Sequence, residues 1–508
     1  MHIFFNKKLL FISFFIIISI SLVYRVNLIE YKINTSTDTP IEKRLGTTGY
    51  AIGHIKDTFD SWFYYDLYPV KKNVGITIQQ EIVEEFIDNE GQRENKNIEL
   101  IMRDGSSIFQ GEFYRLHYAL PNYLIFKQVS PKTSNIALSL LSIVFLMIFG
   151  LLKQRLIFST CFSLLLIYSD FYIYENYINE NIFGTSISIF IILFSIFNIF
   201  IDSIKKYYIG WFIFFGFIVS FFSNIRTEFI FLLISLSVLC FFNFNKKKLI
   251  LSLTILVISF LIFQNLLNKN FENKIDKTNL LIVSHNGIEY TGPVGSGHTF
   301  WHPFWMGLGD NINGQKLGFN WGDKAAYDYA AGINPQLFTA DDIDSHRLFN
   351  SYDEYGIYQI KPELIPEYQK TLRDDVVRKF FDNKYEFFLI YKNKLTNILT
   401  KIQSIDIGIP TPLNPNRGYH DNIVINGINI LIIGVLLLII CIVTSFKSSK
   451  NIFSTRFKSY WSFIFSSLPL ALPAVIVSDM GATYVSIFHF ALIIFTLEFL
   501  VKKLCKFN

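Results

Sequence analysis

Runs of Phe, Ile, Leu and Val long enough to cross a bilayer recur along the whole chain. Crossing the hydrocarbon core takes about 20 mostly apolar residues in a helix. Backbone groups in lipid must be satisfied within the spanning element, so each such run is constrained in what it can fold into. The candidate runs are 8–24, 135–152, 156–174, 183–201, 208–224, 229–243, 249–267, 424–445, 461–478 and 484–500. They predict an all-α integral membrane protein with about ten transmembrane helices. The composition agrees, with 51% hydrophobic residues, 54 phenylalanines and a mean hydropathy of +0.34.

Lys and Arg in short loops orient such a bundle, because they stay on the cytoplasmic side. Lys7-Lys8, Lys153 with Arg155, Lys205-Lys206, Lys246-Lys247-Lys248, the 447–458 loop and Lys502-Lys503 form one alternating set. All of them fall on one side, together with both termini, which predicts a multi-pass protein of the cell inner (plasma) membrane with cytoplasmic ends. The net charge of +5 is explained by these loops, so it implies no nucleic-acid partner. The first run follows Lys7 and Lys8 but precedes no small-residue cleavage site, and reads as an uncleaved anchor.

Two long polar stretches, 25–133 and 268–423, then lie on the outer face. The chain divides into an N-terminal membrane module with the first outer loop (1–267), a second outer loop (268–423) and C-terminal membrane helices (424–508). Neither outer loop contains Cys, so no disulfide is expected to staple it. Residues 76–88 have helical apolar spacing, and Ile98–Met102 reads as a strand before an Asp104-Gly105 turn. The segments 112–130 and Tyr385–Leu399 are aromatic and amphipathic, as interface helices are. Glycines and aromatics crowd 292–322, which predicts an irregular binding loop. Residues 363–402 read as helix, with Pro366 near its start and Leu372, Val376, Val377, Phe380 and Phe381 at apolar spacing.

Several residues are candidates for chemistry. Asp38, Asp60 and Asp66 of the first loop are candidate general bases, Asp60 and Asp66 in aromatic surroundings. Asp170, Glu175 and Glu180 bracket the outer ends of the third and fourth spans, and Arg226 and Glu228 occupy a short outer connection. Ionisable groups at membrane depth are costly, which points to function. Arg115 and His117 are further polar candidates at the interface. His298 and His302 flank Thr299-Phe300-Trp301, but neighbouring glycines and Pro303 argue against a helix there, and no metal-binding motif is completed. Trp301 and Trp305 are placed to stack on a sugar ring or to anchor the loop.

Layout and motifs together resemble the GT-C-type polytopic membrane glycosyltransferases, which use polyprenyl-phosphate-sugar donors. The layout is one span, a long outer loop and then a bundle. Gly216-Phe217 through Asn224-Ile225-Arg226-Thr227-Glu228 is similar to the family's Gly…(T/N)-x-R-x-E. Asp170…Glu175…Glu180 matches its acids before a span, and Leu372–Ile398 looks like its helix before the last spans. The family's catalytic Asp stands soon after the first span; here Asp38-Thr39-Pro40 is nearest, whereas Asp60 and Asp66 lie further on. The resemblance implies an inverting transferase that moves a sugar to a glycan, lipid or protein acceptor. A cation such as Arg226 would stabilise the leaving phosphate. It implies no firm cofactor and leaves a divalent cation open. A transporter or flippase of lipid-linked glycans, or a polymerase, is the competing expectation.

Overall fold

The protein is described by a computed structural model over residues 7–35, 67–71, 98–102, 131–169, 172, 183–224, 227–284, 289, 300–337, 364–400, 403–406, 422–425, 429, 432, 436, 455–476 and 487–494. The first seven apolar runs become helices: α1 (Lys7–Thr35), α2 (Pro131–Leu152), α3 (Leu156–Tyr168), α4 (Phe183–Ile199), α5 (Ile201–Lys206), α6 (Tyr208–Ser223), α7 (Phe231–Asn243) and α8 (Lys246–Ser284), whereas the run 424–445 lies almost wholly outside the described residues. A second group follows: α9 (Trp301–Leu308), α10 (Ile312–Lys316), α11 (Asp323–Ile333), α12 (Ile365–Asp382) and α13 (Lys384–Thr400). The C-terminal part contributes α14 (Thr455–Ser467), α15 (Leu472–Ile476) and α16 (487–494). The architecture is all-helical apart from two short antiparallel pairs. Strand β1 (Leu67–Lys71) pairs with β2 (Ile98–Met102), and β3 (Gln403–Asp406) with β4 (Asn422–Ile425).

Among the described residues one helix, Lys246–Lys277 within α8, is long and apolar enough to cross a membrane. Seven further apolar helices are shorter, at 10–17 residues.

Phenylalanine builds the core of the bundle. Phe463 of α14 meets Phe158, Phe162, Phe190 and Phe194 at centroid distances between 4.6 and 5.6 Å, mostly edge to face. Edge-to-face pairs align the ring edge with the negative face of its neighbour. The α6–α8 crossing is closer still. A Cβ added at Gly216 would lie 2.7 Å from the Ser259 Cβ and 3.0 Å from backbone atoms of Leu256 and Phe260. Gly216, with Ser220 and Ser259, is the small-residue seam that lets two apolar helices touch backbone to backbone. The glycine of the motif thus has a packing role.

Several elements depart from expectation, among them α1, which continues past 24 to Thr35. The seventh run was expected to end at 267, but α8 continues to Ser284. Its polar extension places Phe271 and Ile275 on one face, where both are buried in the bundle core. The helix expected over 363–402 breaks at Asn383 (φ −133°, ψ 51°), separating α12 from α13. The tract expected to be irregular is helical from Trp301. Pro303 sits in the first turn of α9, where its missing N–H would have had no helical acceptor. Gly314 is required where the chain turns back, because a Cβ there would overlap the Leu308 carbonyl oxygen.

Candidate functional site

One end of the bundle is polar inside. The Tyr172 hydroxyl lies 2.6 Å from Ser142 Oγ and 2.8 Å from Ser188 Oγ, and all three residues are fully buried. This ties the segment after α3 to α2 and to the beginning of α4. Ser139, Ser169, Thr185 and Ser186 are buried beside it in sequence.

A second polar node holds the end of α6. Gln264 of α8 and Asn224 exchange amide bonds: Gln264 Nε2 donates to Asn224 Oδ1 at 2.7 Å, and Asn224 Nδ2 donates to Gln264 Oε1 at 3.1 Å. Ser220 Oγ donates to the same Gln264 oxygen at 3.1 Å. Ring contacts show that the two nodes share one end. Phe200 stacks on Trp211, and Phe197 meets Phe215, so α4 and α6 run antiparallel from a common layer. At roughly 1.5 Å per residue, Ser188 lies about 13 Å from Phe197, and Asn224 about 13 Å from Phe215, on the same side of that layer. Replacing Gln264 with Leu should leave the Asn224 amide without its reciprocal partner. The expected loss is about 1 kcal/mol, the usual net scale of a buried hydrogen bond, read as a lower melting temperature of the purified chain.

Two further buried polar groups belong to this account. Arg25 of α1 is fully buried, about two turns past Ile18, which packs with Ile143 and Ile167. His489 of α16 faces the Leu399 carbonyl at 3.0 Å. A carbonyl only accepts, so Nε2 carries the proton. Nδ1 has no hydrogen-bond partner among the described residues. Beside it Ile398 packs with Ala471, Val475 and Phe488, so the end of α13 is seated on the bundle.

The helices α9 to α13 form a second core around Trp305, Phe319, Tyr368, Leu372 and Phe387. Asp375 is its polar centre, with a side chain 1% exposed. It accepts from Trp305 Nε1 at 3.0 Å, Lys379 Nζ at 2.8 Å and Arg378 at 2.9 Å. Burial disfavours the Asp375 anion, but hydrogen bonds from Lys379, Tyr329 and Trp305 outweigh it and hold the carboxyl below its usual range. Burial, and then the bond to Asp375, pushes the Tyr329 phenol up. Burial alone pushes Tyr391 up to about 12. Lys379 Nζ sits over the Phe319 and Tyr329 rings at 4.4 and 4.8 Å, an internal cation–π cage. A second ion pair, Lys394 to Asp310 at 3.7 Å, fastens α13 to the turn after α9. Asp375, Trp305 and Lys379 thus form an inner scaffold, with Arg378 exposed at its rim.

The expected site residues fall as follows. Trp305 is enclosed in the second core, and its ring offers no open face for a sugar. His302 is also buried, bonded through Nδ1 to the Tyr368 hydroxyl, with its ring against Tyr327. Trp301 is half-buried at the start of α9, edge to face with Phe300 and Phe304. The Glu228 backbone lies in the 3₁₀ turn Thr227–Ile230, directly after Asn224 and the 225–226 step. Asp38, Asp60, Asp66, Arg115, His117, Asp170, Glu175, Glu180, Arg226 and His298 lie outside the described residues, as do the helix expected over 76–88 and the segment 112–130. Among the described residues no group of three or more His, Cys, Asp or Glu side chains forms a metal site.

Sequence reasoning passed over Arg25, Gln264 and Asp375. Gln264 had a readable signal, an amide inside an apolar helical run, which needs a partner once buried. Asp375 and Lys379 also had one, a four-residue acid–base spacing on a helix.

No protein-family model matches the chain, and no curated protein or solved structure is detectably similar to it. Among the described residues the fold is predominantly helical: an apolar bundle with one buried polar end, and a helical module fastened to it through α13.

Proposed function

We propose that the chain is an inverting glycosyltransferase of the plasma membrane. It moves a sugar from a polyprenyl-phosphate donor to an envelope acceptor on the outer face. In this reading the apolar helices make about ten spans with both termini cytoplasmic, and the polar end of the bundle faces outward. The observation that carries the reading is the shared position of the two polar nodes. Tyr172 stands between Asp170 and Glu175 in sequence, and Asn224 stands two residues before Arg226. Both are anchored at one end of an otherwise apolar bundle. The described neighbours of the residues that resemble the transferase motif, Tyr172 and Asn224, thus share one end, which supports the reading.

The chemistry follows from the charges. A carboxylate of the first outer loop, Asp38, Asp60 or Asp66, takes the proton from the acceptor hydroxyl. The oxygen attacks the anomeric carbon opposite the phosphate, and the sugar–phosphate bond breaks with its electron pair leaving on polyprenyl phosphate. The anomeric centre inverts, as in an inverting glycosidase with the acceptor in place of water. Arg226 stabilises the departing anion, and its guanidinium fork fits a phosphate. Glu228, Glu175, Glu180 and Asp170 position donor and acceptor.

Mass analysis of envelope glycans and glycolipids from a strain lacking the chain tests this reading. A glycan lacking one sugar type, restored by the wild-type chain but not by one of Asp38→Asn, Asp60→Asn or Asp66→Asn, supports it. Unchanged glycans in the deleted strain overturn it. Full-length sugar composition with altered chain length or lost export indicates a polymerase or flippase instead.

A further inference from the structure

The elbow between α12 and α13 exposes an apolar face that no contact among the described residues covers. In α13 the residues Phe387, Ile390, Lys394 and Ile398 are buried against the module or the bundle. Tyr385, Phe388 and Leu395, spaced at helical intervals on another face, are 68%, 62% and 48% exposed. Across the break at Asn383, Phe381 is 63% exposed beside Lys384, and the Phe380 ring stands edge-on to Phe387 at 5.3 Å and to Phe381 at 5.5 Å. The helix is thus apolar on two sides, and its module covers only one.

Two lysines stand in or beside the exposed aromatic stripe, and of the two nearby acids one is exposed. Lys384 Nζ lies 5.8 Å from the Phe381 ring centroid, and Lys392 lies between Phe388 and Leu395 in the stripe. Asp382 is the exposed acid at the elbow, and Glu386 is half-buried beside Phe387. Exposed aromatic rings bordered by lysines are the composition of segments that lie in the headgroup layer of a bilayer. Lysine stems lie along apolar surface while the ammonium reaches phosphate. The other end of α13 is already fixed to the bundle, where Ile398 packs on Ala471 and Leu399 faces His489.

We infer that the α12–α13 elbow is a seat for the anionic lipid headgroup layer, on which the α9–α13 module rests. Phe381, Tyr385 and Phe388 enter the interface, and Lys384 and Lys392 meet lipid phosphates. With one end of α13 held by the bundle and its exposed face held by lipid, the module keeps a fixed height over the polar end. The inference rests on placing the bundle in a bilayer, and not on the glycosyl-transfer chemistry.

The test uses the full chain with Cys161, Cys240, Cys441 and Cys505 replaced by serine, reconstituted in nanodiscs. Single cysteines at Phe381, Tyr385 or Phe388 carry an environment-sensitive dye, and nitroxide lipids serve as quenchers. Arg373→Cys, on the exposed polar side of α12, reports water, and Leu261→Cys, on the exposed apolar side of α8, reports the bundle. Several-fold stronger quenching at the elbow positions than at residue 373 is expected. It should rise when phosphatidylglycerol replaces part of the phosphatidylcholine, and Lys384→Glu with Lys392→Glu should remove that rise. Quenching at residue 261 but not at the elbow overturns the inference and leaves the membrane reading intact. No quenching at residue 261 overturns the membrane reading itself. Elbow quenching that ignores lipid charge refutes the headgroup contact, and unquenched elbow cysteines that cross-link between copies assign the face to self-association.

Discussion

Asp375→Asn should unfasten the α9–α13 module. The amide keeps the shape of the carboxylate but loses its charge, leaving Lys379, 15% exposed, in its aromatic cage without an anion. Removing one partner of a buried pair costs about 3–5 kcal/mol, because the remaining charge stays desolvated. Hydrogen exchange of the full chain in detergent should show protection of α9 and α12 falling by roughly 100-fold or more, since about 1.4 kcal/mol is a factor of ten. Trp305→Ala removes a fully buried ring and the 3.0 Å donor to the same carboxylate. Its loss is about 3–5 kcal/mol. Because the two share an interaction, the double variant should lose less than the sum of the singles. Wild-type protection in Asp375→Asn would show that the ion cluster contributes nothing.

The same group sets an acid limit. Asp375 has a lower pKa folded than its unfolded value of about 3.9. Its contribution is therefore complete above that value and is lost as pH falls through the lower folded one. Protection of α12 should decline in that acid window, and the decline should be absent in Asp375→Asn.

Gly216→Leu should separate α6 from α8. The closest atoms to an added Cβ are the Ser259 side chain and backbone of Leu256 and Phe260, and the backbone cannot swing aside. Overpacking typically costs about 1–3 kcal/mol, and more where backbone is met. The shift should also pull Gln264 from Asn224, adding the loss of that amide pair. Gly210→Leu on the same helix is the control, because a Cβ there meets nothing within 4 Å. Thermal unfolding followed by size-exclusion chromatography in detergent should show a large loss for Gly216→Leu and little for Gly210→Leu. Equal melting would remove the seam from the account.

The helices of the bundle were legible because apolar length is a strong signal in a chain with 54 phenylalanines. Strand Ile98–Met102 was legible too, but its partner Leu67–Lys71 was not, since one strand does not reveal which segment it pairs with. The overrun of α8 was hidden because two residues, Phe271 and Ile275, suffice to carry a polar segment along the core. The break at Asn383 has no Pro or Gly to announce it. The burial of Trp305 was beyond reach of local reading, because its partner Asp375 lies seventy positions away. Arg25 fell one residue past the expected end of the first span and was read as loop, yet the helix carries it inside. Residues expected to act on substrate thus divide by tertiary context, His302 and Trp305 going to the scaffold.

The most direct test of the proposed activity is turnover by the purified chain in proteoliposomes containing polyprenyl-phosphate sugars from the native membrane. Release of free polyprenyl phosphate is measured together with transfer to added envelope glycan. The account predicts release and transfer in equal amounts, and a loss of about 100-fold or more in Arg226→Ala, the scale for removing a group that stabilises developing charge. Intact donor that crosses the bilayer without losing its sugar would contradict it and make the chain a carrier.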